Sequence, residues 1–150
     1  MSQTVDIKDF IKENGFFMNT TEGTSMYPML RSKKDTVLIC AYQGRLKKYD
    51  VPLYKVGDEY VLHRIIKVLP DSYVIRGDNR MDKEFGITDE DIAGVLTLFY
   101  RGEKKISVDN LIYRLYARLW NCIFPVRLLY KKCRRFASKV KRRLKRLVGA

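Results

Sequence analysis

The sequence predicts a mainly β protein: a strongly curved antiparallel sheet or small barrel, with a short N-terminal helix and a basic amphipathic helical C-terminal tail. Three observations carry this reading. Between residues 36 and 100, short runs rich in Val, Ile and Leu are divided by Gly, Pro, Asp and Asn at the spacing of hairpins. No long helical periods alternate with those runs, which argues against a parallel, helix-covered sheet. After about Ser107 the apolar spacing changes to steps of three and four. The expected division is a β domain with its N-terminal helix over 1–107 and a helical tail over 108–150.

Each element follows from local pattern. In the first twenty residues Val5, Phe10 and Ile11, with Ile7 flanking, share a broad apolar face, and Asn14-Gly15 stops the helix. Thr36–Tyr42 is the first strand run, and Val51–Tyr54 is a brief second one ended by Gly57-Asp58. Tyr60–Leu69 is long and rich in Val and Ile, Pro70-Asp71-Ser72 turns it, and Tyr73–Arg76 returns as the other arm of a hairpin. Gly77-Asp78-Asn79 breaks that arm. Ile92–Tyr100 is a further strand, followed by the turn Arg101-Gly102-Glu103. In the tail, Val108, Leu111, Ile112, Leu115, Leu119 and Ile123 share one face, Pro125 interrupts, and Leu129, Cys133, Phe136, Val140, Leu144 and Leu147 make a second stripe.

Composition narrows the function classes. With 46% hydrophobic residues in 150, the chain has material for a real core and is not disordered throughout. The net charge of +13 is segregated: residues 1–100 carry −1 and residues 101–150 carry +14. The longest uncharged stretches, Thr36–Gly44 and Ile92–Tyr100, are far shorter than the roughly 20 apolar residues of a membrane-spanning helix. Asp6, Lys8, Asp9, Lys12 and Glu13 interrupt any secretory leader pattern. Three widely spaced cysteines, Cys40, Cys122 and Cys133, with a single histidine, predict neither a disulfide framework nor a metal site, and no cofactor is expected.

Three segments carry candidate chemistry. In Glu22-Gly23-Thr24-Ser25-Met26-Tyr27-Pro28, Gly23 permits unusual backbone angles and Pro28 fixes the chain that follows, so Ser25 sits on a constrained turn. Ser25 is either part of an ordinary Gly-Thr-Ser turn or a serine whose hydroxyl is aimed outward and whose amide is free as an oxyanion donor. His63 lies in the apolar run Val61–Ile66, with Val61 and Ile65 on its face and Leu62, Arg64 and Ile66 on the other. It is either a half-buried histidine satisfied by a carbonyl or a general base for a serine. Gly77-Asp78-Asn79, with Asp82 and Glu84 behind it, is either a solvated hairpin exit or a turn that returns a carboxylate to the imidazole.

In order and spacing these segments resemble the signal peptidase I superfamily, which includes the self-cleaving repressor peptidases. Ser25-Met26-Tyr27-Pro28 is similar to its nucleophile box. Asp35-Thr36-Val37-Leu38 and Lys48-Tyr49-Asp50-Val51 resemble the next two strand entries, Tyr60–Ile66 the base-bearing strand, and Gly77-Asp78-Asn79 the Gly-Asp-Asn box. The likeness covers about residues 20–100. His63 stands where most bacterial members carry lysine, as in the endoplasmic-reticulum and archaeal type with a Ser-His dyad. Gly23 stands where many members have serine, so the oxyanion falls to the Ser25 amide, helped by Thr24. The family's N-terminal membrane anchor is not seen.

The resemblance implies a serine endopeptidase acting through an acyl-enzyme on a signal- or leader-type segment of a precursor polypeptide. That substrate would be bound as an added strand, with small residues one and three positions before the cut. The implied catalytic residues are Ser25, His63 and an acid, Asp78 or Asp82, with Glu84 a further choice; Gly23, Thr24, Met26 and Pro28 would bind substrate. A non-catalytic interaction module of the same fold and a self-cleaving DNA-associated regulator are the alternatives. For the basic tail, an anionic membrane surface is the expected partner, with packing on the β core the plain alternative and nucleic acid disfavoured because no reading motif accompanies the charge. The expected location is cytoplasmic, either in the cytosol or peripheral on the inner face of the cell membrane.

Overall fold

The computed structural model describes residues 6–148 and contains, among them, nine strands and three helices. Helix α1 (Ile7–Asn14) starts at Asp6, whose carboxylate accepts from the Lys8 N–H at 2.8 Å. It ends at Gly15, which adopts the left-handed conformation (φ 82°) and returns its N–H to the Ile11 carbonyl. Ile11 is fully buried and Ile7 packs beside the core, while Phe10 stays largely exposed. Val5, the remaining residue of the expected face, lies outside the described residues.

Two antiparallel sheets follow. The larger orders β1 (Phe16–Thr20), β2 (Asp35–Cys40), β8 (Ile92–Arg101), β3 (Pro52–Val56) and β4 (Glu59–Leu62), with β9 (Lys104–Ser107) paired to the far half of β8. The smaller orders β5 (Arg64–Val68), β6 (Tyr73–Arg76) and β7 (Glu84–Ile87). The fold is thus mainly β and antiparallel, and the described strands form no closed barrel. Three strands, β1, β7 and β9, fall where the sequence pattern predicts none.

The expected single strand Tyr60–Leu69 is divided at His63, the one residue between β4 and β5. The chain changes sheets there, because the residues on either side serve two cores. Leu62 packs against a cluster that includes Met26, Leu30, Ile39 and Leu96; Val61 and Ile65 belong with Tyr54, Tyr73 and Ile75. The two-residue alternation survives the corner, so Val61, His63 and Ile65 still share a side.

Helices α2 (Leu111–Cys122) and α3 (Phe124–Val148) meet at Ile123, across which hydrogen bonds continue from Ile123 to Leu119 and from Arg127 to Ile123. Pro125 sits in the first turn of α3, where its missing N–H is not needed. The face of α2 that packs is Tyr113 and Ala117, with Tyr116 and Trp120 half-buried beside them. The predicted stripe is not the buried one: Leu111, Ile112, Leu115, Leu119 and Ile123 are exposed. Aromatic residues with polar tips win the inner face because a buried ion pair needs them there, as described below. The side chains of Leu144 and Leu147 lie outside the described residues. Among the described helices none is long and apolar enough to cross a membrane.

Candidate active site

Ser25 lies in a turn spanning residues 23–30, entered through Gly23 at φ 78°, a left-handed angle that costs glycine nothing. Met26, Met29 and Leu30 bury themselves in the core beneath it, leaving Ser25 half-buried and Tyr27 exposed. The Tyr27 N–H closes the turn on the Thr24 carbonyl at 3.2 Å. The far end is fastened by Asp35, which is fully buried. It accepts from the Arg31 backbone and guanidinium and from Arg101, which also donates to the Met29 carbonyl at 2.7 Å. Burial alone would raise the Asp35 carboxyl, but these donors outweigh it and hold it below the usual range.

The Gly77–Asn79 turn, leaving β6, packs directly on that segment. The Asn79 N–H donates to the Ser25 carbonyl at 2.7 Å and the Asn79 side-chain amide to the Thr24 carbonyl at 3.2 Å. Gly77 is the point of closest approach. A Cβ there would stand 2.8 Å from the Ser25 carbonyl oxygen and 3.0 Å from His63 Cδ2. The serine turn, the histidine corner and the Gly-Asp-Asn turn, separate in sequence, thus converge on one glycine.

His63 is buried and held from one side. Its Nδ1 lies 2.8 Å from Glu84 Oε1 and 3.0 Å from the Tyr54 hydroxyl, and that hydroxyl donates to the other Glu84 oxygen. An ionised carboxylate can only accept, so the neutral imidazole carries its proton on Nδ1 and has its lone pair on Nε2. Nε2 is buried and has no hydrogen-bond partner among the described residues. Burial lowers the His63 pKa from its usual 6.5, and this outweighs the opposing pull of Glu84. Burial and the bond to Glu84 push the Tyr54 phenol far up, so it remains a donor. The result is an imidazole oriented at one nitrogen and unpartnered at the other, with no hydrogen bond to the Ser25 hydroxyl among the described residues.

The expected acids part company here. Asp78 is buried, but its carboxylate takes two parallel bonds from Arg64, Nε to Oδ1 and Nη2 to Oδ2, each 2.8 Å, and a third from the Tyr116 hydroxyl. Arg64, completely buried on the opposite side of the chain from His63, claims that carboxylate because an unpaired guanidinium cannot be left there. It also donates to the Tyr113 hydroxyl at 3.1 Å and to the Tyr49 carbonyl. Asp82 is exposed on the loop before β7. Of the three candidates it is Glu84, on β7, that meets the histidine. Tyr54 and Arg64 carry no local sequence signal; only the folded neighbourhood shows what they do.

A groove of about 700 Å3 opens beside Ser25. Its walls include Asn19 and Thr20 of β1 and Tyr60, Val61 and Leu62 of β4, the two ends of the larger sheet, each paired on one side only. Gly23, Ser25 and Met26 also line it; Thr24 and Pro28, expected as substrate contacts, do not. Their carbonyls are taken by other parts of the protein, that of Thr24 by the Asn79 amide and that of Pro28 by Arg101 at 3.5 Å. The Ser25 N–H makes no hydrogen bond among the described residues. No cluster of His, Cys, Asp and Glu suited to a metal ion occurs among them. Compared with family models and with curated proteins, the chain matches none.

Proposed function

We propose that this protein is a serine endopeptidase of the signal peptidase I-like kind, cleaving a signal- or leader-type segment from a precursor polypeptide. The observation that carries the reading is the state of His63: Nδ1 tied to Glu84 and Nε2 buried without a partner, beside the turn that bears Ser25. Most buried side-chain nitrogens are hydrogen-bonded, so an unpartnered Nε2 beside a serine turn supports a functional role.

In the proposed reaction an extended segment enters the groove and adds its backbone to the free edges of β1 and β4. Neutral His63 takes the Ser25 proton at Nε2 as the hydroxyl oxygen attacks the scissile carbonyl. Glu84 and Tyr54 hold the ring in the required tautomer, and the Glu84 charge stabilises the imidazolium that forms. The Ser25 N–H, free of internal bonds, faces the developing oxyanion. Imidazolium then protonates the leaving amine, and water hydrolyses the ester on Ser25 by the same route.

The test is reaction of the purified protein with a serine-directed acylating probe, read by mass. One adduct at Ser25 is expected, absent in Ser25→Ala and slowed by about 10²–10⁴ in His63→Gln. Folded protein that takes no label would instead make this a binding module of the same fold.

A further inference from the structure

We infer that the outer face of α2 and α3 is a docking surface for an anionic lipid bilayer. The inner faces of both helices are already occupied, and by the same turn. From α2, Trp120 donates to the Asp78 carbonyl at 2.9 Å; from α3, Arg127 donates to that same oxygen at 2.7 Å and Lys131 to Asn79. The opposite side of each helix therefore faces away from the protein. It is apolar where a solvated helix would be polar: Leu111, Leu115 and Leu119 on α2, then Val126, Leu129 and Phe136 on α3, are all exposed, most by more than 60%.

The stripe on α3 runs Val126, Leu129, Cys133, Phe136, Val140, in alternating steps of three and four, so it stays on one side of the helix. Exposed Lys132, Arg135, Lys139 and Arg143 flank it on one side and Arg134 on the other. On α2, Arg114 and Arg118 border the leucines. After Asp109 the chain contains thirteen Lys and Arg and no Asp or Glu.

The occupant must accept both features at once. A nucleic acid would neutralise the charges and leave the leucines in water. A second copy would bury the leucines, but would set two strongly basic flanks against each other. A bilayer with anionic headgroups takes the apolar stripe at the acyl boundary and the flanking cations among the phosphates.

Flotation of the full chain with vesicles tests this. With phosphatidylcholine–phosphatidylglycerol vesicles the protein should float. With phosphatidylcholine alone, or at high salt, binding should fall by at least tenfold. Lys132→Gln, Arg135→Gln and Lys139→Gln together should weaken anionic binding on the order of a hundredfold, at about fivefold per charge. Leu115→Glu with Leu129→Glu should abolish it while leaving the circular dichroism and the labelling of Ser25 unchanged, since both leucines are already exposed. Equal binding to neutral and anionic vesicles, undiminished binding by the glutamate variant, or oligonucleotide retention without vesicle binding would each overturn the inference. So would a lipid-free dimer that the glutamate variant dissociates.

Discussion

The backbone N–H of Asn79 points at the carbonyl oxygen of Ser25 from 2.7 Å, fastening the turn after β6 to the turn before β2. The side chain of Asn79 repeats the fastening on Thr24, and Gly77 lets the histidine ring in beside both. The position of the serine is thus set by a residue more than fifty places further along the chain, and changes in either turn should register at the other.

Glu84 and Asp82 are two residues apart and differ in what they touch. Glu84→Gln removes the charge and offers an amide NH2 that can face Nδ1 and favour the wrong His63 tautomer, and should lower the rate of Ser25 acylation by about 10²–10⁴. Asp82→Asn, on an exposed loop, should leave the rate within a factor of about two and stability within about 0.5 kcal/mol. Rates measured side by side decide it; equal losses would mean that Glu84 has no privileged role.

The acylation rate should rise with pH along a limb centred below 6.5, because burial depresses the His63 pKa and only the neutral ring accepts a proton. Stability carries the same sign. Below 6.5 the unfolded chain binds a proton that folded His63 still refuses, so the contribution of this group falls as pH drops from 6.5 towards the depressed value. Both are read from a pH–rate profile and from thermal unfolding across that range; a limb centred above 7 contradicts the buried geometry.

Gly77→Ala should cost about 1–3 kcal/mol and slow acylation. The new methyl meets the Ser25 carbonyl oxygen, which is backbone held by Asn79 and cannot swing aside, as well as Arg80 Cγ at 2.8 Å, which can. Chemical denaturation measures the first effect and probe labelling the second. Unchanged values for both would mean that the two turns move apart freely.

Asp78→Asn should destabilise the fold by about 3–5 kcal/mol, since it leaves the completely buried Arg64 guanidinium without its carboxylate. Adding Arg64→Leu should recover part of the loss by removing the stranded charge. Thermal unfolding of the single and double variants separates this scaffold role from that of Glu84, whose replacement should affect rate far more than stability.

Much of this arrangement was legible in the chain and some was not, for physical reasons. The β6 strand, the hairpin before it and the Gly77–Asn79 turn declare themselves through β-branched residues bounded by turn formers, all local signals. β1 hides because Phe16–Thr20 follows directly on a helix stop. β7 is obscured by Gly86 at φ 76°, and β9 offers Ile106 as its sole large apolar residue. Those three exist because a neighbouring strand supplies hydrogen bonds, which no short window records. The choice among Asp78, Asp82 and Glu84 was open for the same reason, depending on where Arg64 points. Hydrophobic period points to the wrong face of α2 because it weighs Leu above Tyr, whereas the buried Arg64–Asp78 pair requires Tyr113 and Tyr116 with their hydroxyls.

Trp120 and Arg127 both hang on a single peptide oxygen, that of Asp78, and the guanidinium carbon lies over the indole, 3.6 Å from the ring centre. Any force that tilts the paired helices must pull on the peptide link between Asp78 and Asn79, the same link whose N–H grips the Ser25 carbonyl. The molecule therefore contains a lever, with its long arm on the outside and its short arm against the turn that carries Ser25.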